Sequence, residues 1–179
     1  MEFIVGILVV VVVIIFWWIG TYNGIKVALL KVKESLSGID VALTKRFDVL
    51  TKMLDVVKGY QEHEKTVLTE LVALRSGMSM KERNKANGSM DELTRQINIL
   101  AENYPELQSS NNFVELQKAI VDVEEHLQAA RRMYNANVTA YNKKLITFPN
   151  SIVAGAMGAR EEEFFEAEAA KRADVKMTF

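Results

Sequence analysis

Hydrophobic and polar positions divide this chain into one unbroken apolar run followed by a series of helical stripes. No side chain from Phe3 to Ile25 carries a charge, and Phe3 to Ile19 is almost wholly Ile, Val, Leu, Phe and Trp. As a helix, this run of about 23 residues reaches roughly 34 Å, enough to cross the apolar core of a bilayer. Trp17, Trp18 and Tyr22 fall at its end, where amphipathic rings prefer the headgroup region. Together with Phe3 they are the expected membrane-contacting residues. A cleaved signal peptide needs a basic start and a small-residue cleavage site. Met1-Glu2 and Trp17-Trp18-Ile19-Gly20 supply neither, so residues 1–25 are expected to stay as a transmembrane anchor.

Beyond the anchor, Ile25, Leu29, Val32, Leu36, Ile39, Leu43, Phe47, Leu50, Leu54 and Val57 recur about every 3.6 residues, the α-helical period. The stripe continues less cleanly through Val67, Leu71 and Leu74, and no strong breaker lies between Gly24 and Gly77. One helix is therefore expected to leave the membrane and run on to about Arg75. Residues 76–89 read as a polar connection. Ser89-Met90-Asp91-Glu92 fits a capping box and predicts a second helix through Leu93, Ile97 and Leu100, ending at Tyr104-Pro105.

Asn112 and Glu115 fit the cap of a third helix. Its stripe is Phe113, Leu116, Ile120, Val123, Leu127, Ala130, Tyr134, Asn137, Tyr141, Leu145 and Phe148. The spacing of about 3.5 is a heptad, which argues for coiled-coil-like packing. Phe148-Pro149 should end it. A small-residue segment, 151–159, and a charged helix from Glu161 to about Ala173 close the chain.

The pattern therefore predicts an all-α protein. A transmembrane helix (1–25) continues into a long-helix antiparallel, coiled-coil-like bundle (26–150), followed by a C-terminal segment (151–179). Phe47, Leu50, Tyr60, Leu127, Tyr134, Tyr141, Leu145 and Phe148 are the expected packing and interaction residues. Rods of about 76 Å and 54 Å cannot cover each other completely, and the apolar overhang leads to the expectation of a homo-oligomer.

Composition narrows the function classes. The 179 residues hold 22 Lys+Arg against 23 Asp+Glu, for a net charge of -1, which argues against a nucleic-acid partner. With no Cys, disulfides, thiol catalysis, Cys-ligated metals and a lipidated N-terminal Cys are excluded. Lys26, Lys31 and Lys33 follow the span and no Lys or Arg precedes it. The positive-inside rule then puts the N-terminus outside and the helical domain in the cytoplasm.

Catalytic chemistry finds no support. A helical di-iron site needs Glu-x-x-His, but Tyr60 and Val123 stand three residues before His63 and His126. His63-Glu64 opens a zincin-like pattern, yet Val67 occupies the second ligand position. Glu161-Glu162-Glu163 reads as a solvated helix start. Neither a catalytic residue nor a cofactor is expected, and the chain reads as a non-enzyme. Gly155-Ala156-Met157-Gly158 has small-residue spacing of the type that allows close helix approach, or reads as a tight turn or docking segment. Tyr134-Asn135 and Tyr141-Asn142, seven apart, share a helix face, where a Tyr can bury its ring and an Asn can fix register. Asp40, Lys45, Arg46 and Asp48 flank the first stripe, and Arg131 and Arg132 flank the later one. Ion pairs between these two sets, or solvated charges worth under about 1 kcal/mol, are both open readings.

With these residues in hand, the sequence resembles the LemA family over nearly its whole length. The N-terminal span with Tyr22-Asn23, the run Ile39-Asp40-Val41-Ala42-Leu43-Thr44-Lys45-Arg46-Phe47-Asp48, and Val57-Lys58-Gly59-Tyr60 with His63-Glu64 carry the first half. Tyr104-Pro105-Glu106-Leu107, Ala130-Arg131-Arg132-Met133-Tyr134-Asn135, Val138, Tyr141-Asn142, Phe148-Pro149 and Phe164-Phe165-Glu166 carry the second. Thr51-Lys52-Met53 departs from an Ile-Pro-Asn-like segment usual in the family, and Gly158-Ala159 from the usual Gly-Phe. The resemblance implies an antiparallel helical bundle on one N-terminal anchor in the bacterial inner membrane. One relative group belongs to magnetosome membrane formation, which points to membrane organisation. The expected role is a membrane-anchored scaffold, with the lipid bilayer, further copies and an envelope protein as partners. The alternative is an adaptor or sensor in envelope stress or proteolytic quality control, motivated by the Glu-rich tail and the 76–89 loop.

Overall fold

The computed structural model describes residues 1–58 and 78–165. Five helices and no strand occur among the described residues: α1 (Glu2–Lys58), α2 (Met80–Asn103), α3 (Pro105–Gln108), α4 (Asn111–Ile146) and α5 (Asn150–Ala156). The protein is an all-α bundle whose N-terminal helix is continuous with the apolar run. The expected extension of that helix to Arg75 falls outside the described residues.

In α1, 57 residues form one helix. Thr51 causes no break; its hydroxyl donates to the Phe47 carbonyl at 2.8 Å, a local bond that a helix tolerates. Buried positions of α1 are Ile25, Ala28, Val32, Ser35, Ile39, Ala42, Leu43, Arg46, Leu50, Met53, Leu54 and Val57. Steps of three and four set this seam, as the heptad of a packed helix requires. Residues 3–16, by contrast, are exposed throughout. Among the described residues one helix, this one, is long and apolar enough to cross a membrane. Water would not tolerate so long an apolar surface; a bilayer would cover it.

The contacts gather the chain into two compact units. One unit is Met1–Leu36 with Met133–Phe164. There the first part of α1 meets the last part of α4, with Lys144 at Gly24 and Asn137 at Lys31. Rising numbers on one helix meet falling numbers on the other, so the pair is antiparallel. Ile25, Ala28 and Val32 on α1, Tyr134, Val138, Tyr141 and Leu145 on α4, and Val153 and Ala154 on α5 are buried in this unit.

The other unit is Ser37–Arg132 with Phe165–Phe179, of which residues 37–58, 78–132 and 165 are described. Its core joins Leu50, Met53 and Val57 of α1 to Met90, Leu93 and Ile97 of α2, Leu107 of α3, and Phe113 and Ile120 of α4. Each such side chain contributes about 1.5–3 kcal/mol by leaving water. Asp40 meets Arg83 and Arg46 meets Asn87 and Asp91, so α2 runs parallel to this part of α1.

Two helix starts differ from expectation. Residues 80–89 are helical, and the capping box that opens α2 is Ser79 with Glu82, not Ser89 with Glu92. The Glu82 amide donates to Ser79 Oγ at 3.3 Å, and the Ser79 amide donates to Glu82 Oε2 at 2.6 Å. The Ser79 hydroxyl, which donates to Glu82 Oε2 at 2.7 Å, and then the Ser79 amide hold the Glu82 carboxyl below its ordinary pKa. Both Ser-x-x-Glu segments fit the motif. Arg83, Ala86 and Asn87, buried on the inner face, extend the packed stripe back to the earlier one. Ser79→Ala is expected to lower stability by about 1 kcal/mol, read as an earlier urea midpoint with an unchanged slope. At the start of α4 the Ser110 hydroxyl, one turn ahead of Phe113, accepts the Phe113 amide at 3.3 Å, in place of an Asn112 cap.

Downstream, α5 ends in a Schellman turn. The Ala159 amide donates to Ala154 O and the Gly158 amide to Gly155 O. Gly158 takes φ 62, the left-handed region that glycine enters without a Cβ clash. Here the small-residue segment is a tight turn. The charged helix expected from Glu161 is absent over 161–165, which have no regular secondary structure; the bonds that hold this stretch, described below, replace helix bonds. The remainder of that expected helix lies outside the described residues.

Candidate functional site

Arg46 is the first unusual feature. It occupies a seam position of α1 and is 2% exposed. A buried cation is costly unless its charge and donors are matched. Nη2 lies 2.6 Å from Asp91 Oδ1 on α2 and 2.5 Å from Glu124 Oε1 on α4. Nη1 donates to Asn87 Oδ1 at 2.8 Å and to the Asn87 carbonyl at 3.3 Å. One guanidinium thus ties three helices together. Its planar fork suits this task better than a lysine.

Arg131 adds a second cation. Burial lowers its pKa, while Asp91 and Glu124 act to raise it. The guanidinium carbon of Arg131 stands 4.9 Å from the ring centroid of Phe165, within cation–π range. Two guanidiniums and two carboxylates therefore balance in charge. Beside them, Arg83 on α2 grips Asp40 on α1 in a two-point fork, Nε to Oδ1 at 2.6 Å and Nη2 to Oδ2 at 2.8 Å.

Residues 162–163, after α5, are clasped in the unit formed by Met1–Leu36 and Met133–Phe164. The Tyr134 hydroxyl donates to the Glu163 carbonyl at 2.8 Å. The Asn142 side chain pairs with the Glu162 backbone twice: Nδ2 donates to Glu162 O and Oδ1 accepts the Glu162 amide, both at 3.0 Å. This amide-to-backbone pairing imitates one rung of a sheet. Burial raises the Tyr141 pKa, with Glu162 adding to the shift.

At the other end of the same unit, Lys144 Nζ donates to the Gly24 carbonyl at 3.1 Å. A Cβ at position 24 would meet that nitrogen at 3.6 Å. Lys26 Nζ lies 5.6 Å from the Tyr22 ring centroid, and Trp17 and Trp18 meet edge to face with centroids 6.4 Å apart.

Of the residues expected from the sequence, Phe3, Trp18 and Tyr22 are exposed on α1 and Trp17 is half-buried. Leu50, Leu127, Tyr134, Tyr141 and Leu145 are buried in the bundle, and Phe47 is half-buried. Phe148 instead lies beyond α4 and is 78% exposed; the helix stops at Ile146, so position 148 leaves the seam. Tyr60 and His63 lie outside the described residues. His126 is on the surface of α4, its Nδ1 2.8 Å from Asp122 O.

Sequence reasoning placed Arg46, Asp40 and Arg131 beside the stripes but drew ion pairs only between those sets. Arg46 and Asp40 in fact pair with Asp91, Glu124 and Arg83. One signal was available: Ile39, Ala42 and Arg46 follow the 3-4 spacing of a seam. Among the described residues no group of three or more His, Asp or Glu is placed to hold a metal ion.

Protein LemA of Metamycoplasma hominis is 27% identical over 163 residues, covering 88% of this chain and 74% of that protein. Magnetosome protein MamQ of Magnetospirillum gryphiswaldense is 25% identical over 80 residues, 45% of this chain and 29% of that protein. Magnetosome protein MamQ 2 of Paramagnetospirillum magneticum is 25% identical over 81 residues, 45% of this chain and 30% of that protein. The LemA family model matches residues 35–179, a range that holds Arg46, Asp91, Glu124, Arg131, Tyr134 and Asn142, and on that match the chain belongs to the LemA family.

Proposed function

We propose that this protein is a membrane-anchored helical scaffold of the bacterial envelope that self-assembles and organises the membrane around it. The observation that carries the reading is the continuity of α1: one helix is apolar and uncovered over 3–16 and becomes a wall of the bundle from Ile25 onward. An anchor that continues as a packed helix from Ile25 onward ties the bundle's position to the lipid, which suits a scaffold. Self-assembly is supported by apolar side chains on the outer side of α1, with Val27 52%, Leu30 64% and Val41 55% exposed. The basic residues Lys26, Lys31 and Lys33 after the span favour a cytoplasmic bundle.

Crosslinking and native mass measurement of the full chain in mild detergent test this reading. Species larger than one chain are expected, and Leu30→Glu should reduce them several-fold while helicity stays unchanged. A strict monomer at all concentrations would reject self-assembly.

An adaptor role is the second reading. With 80–89 helical, it rests on residues 162–163: hydrogen bonds from Tyr134 and Asn142 hold them, and a partner offering better bonds could displace them. Deleting residues 160–179 should then abolish capture of an envelope protein and leave the bundle folded.

A further inference from the structure

We propose that the corner between α4 and α5 is seated in the headgroup region of the same bilayer that the N-terminal helix enters. This inference rests on the reading of α1 as a membrane anchor and adds a second point of lipid contact.

Position supplies the first argument. A hydrocarbon core takes about 20 helical residues, so a span counted from Phe3 reaches its boundary near Tyr22, beside Trp17 and Trp18. Lys144 is bonded to the Gly24 carbonyl. Lys144 and Asn150 share an open cleft of about 310 Å³ with Trp17, Gly20, Thr21, Gly24 and Ile25. Trp17 lies about 10 Å further along α1 than Gly24, toward the apolar end. The corner therefore stands alongside the last turns of the span, at headgroup level.

The corner's surface supplies the second. Its inner side is anchored: Leu145 is 8%, Val153 0% and Ala154 3% exposed. Its outer side is apolar: Ile146 is 68%, Phe148 78% and Ile152 53% exposed. Three large apolar side chains within seven positions, uncovered at this depth, match what an interfacial segment presents to lipid. Lys143 and Lys144 in the last turn of α4 can lay their stems on apolar surface and keep their ammonium groups at the headgroups.

The chain has no Cys, so single-cysteine variants can carry a nitroxide at chosen points. Full-length Val10→Cys, Val121→Cys, Phe148→Cys and Ile152→Cys would be reconstituted into phosphatidylcholine–phosphatidylglycerol vesicles. Collision of each label with oxygen, which prefers lipid, is compared with collision with a water-soluble nickel chelate. Labels at 148 and 152 are expected to give an oxygen-to-nickel ratio several-fold above that at 121 and below that at 10. Adding Phe148→Asp should move the label at 152 toward the value at 121 while helicity is unchanged. A ratio at 148 and 152 equal to that at 121 overturns the inference and leaves the anchor standing. Protection of 148 and 152 from both reagents overturns it too, because protein and not lipid would then cover the corner. A water-exposed label at position 10 would remove the anchor and with it the corner's contact.

Discussion

Arg46→Met is expected to destabilise the full chain by about 3 kcal/mol, the low end of the range for removing one partner of a buried ion pair. The variant leaves Asp91 and Glu124 facing each other without the cation that joined them. Nearby Arg131 and the partial exposure of Glu124, 34%, relieve part of that repulsion. Arg46→Lys should lose almost as much, because a single ammonium cannot reach Asn87, Asp91 and Glu124 together. Glu124→Gln should cost under about 1 kcal/mol, as its partly solvated carboxylate keeps an acceptor in place. Urea unfolding in detergent, followed by helicity, gives the order. The discriminating variant is Arg46→Met combined with Asp91→Leu and Glu124→Leu. It should recover much of the loss, since apolar replacement of a whole buried cluster is often neutral. If the single Arg46→Met leaves the midpoint unmoved, the cluster does not hold the three helices together.

The long helices were legible because an apolar period of about 3.6 survives any reading frame. Ile25 to Val57 and Phe113 to Leu145 announced themselves as stripes, and both are helical and line the core. Arg46 was not legible as a core residue. Near positions 42–47 the stripe can be drawn through Leu43 and Phe47 or through Ala42 and Arg46, and hydropathy alone prefers Phe47. The structure buries Arg46 because charges on two other helices meet it, and those helices lie 41 to 45 and more residues away. The start of α2 was ambiguous for a related reason. Two capping boxes stood ten residues apart, and the polar members Arg83 and Asn87 concealed the stripe that selects the first. The tail was hidden more deeply. Tyr134 and Asn142 bind carbonyl and amide groups of Glu162 and Glu163, and every residue type offers those, so no pattern on the tail encodes its place. Family resemblance pointed to Arg131, Tyr134, Asn142 and Phe165 together without saying why. Their common work, in each unit, is to hold the stretch 162–165.

Tyr134→Ala is expected to cost about 3–5 kcal/mol, as other buried aromatic truncations do, since the Tyr134 side chain is 1% exposed. Tyr134→Phe keeps the ring and removes only the hydroxyl, so it should cost about 1 kcal/mol. The two variants separate packing from clasping when stability and tail exposure are read side by side. A glutamyl endopeptidase supplies the second readout, because Glu161, Glu162 and Glu163 all lie outside any helix, in the segment after α5. Cleavage there should accelerate in Tyr134→Phe although the bundle stays folded, and should accelerate again when Asn142→Ala removes the paired bonds to Glu162. Asn142→Asp should act like Asn142→Ala: it loses the donor to the Glu162 carbonyl and sets a carboxylate among three glutamates. If neither Tyr134→Phe nor Asn142→Ala speeds cleavage, the buried ring alone fixes the tail. A partner would then have to open the helix seam itself to release it, and the adaptor reading would lose its low-cost switch.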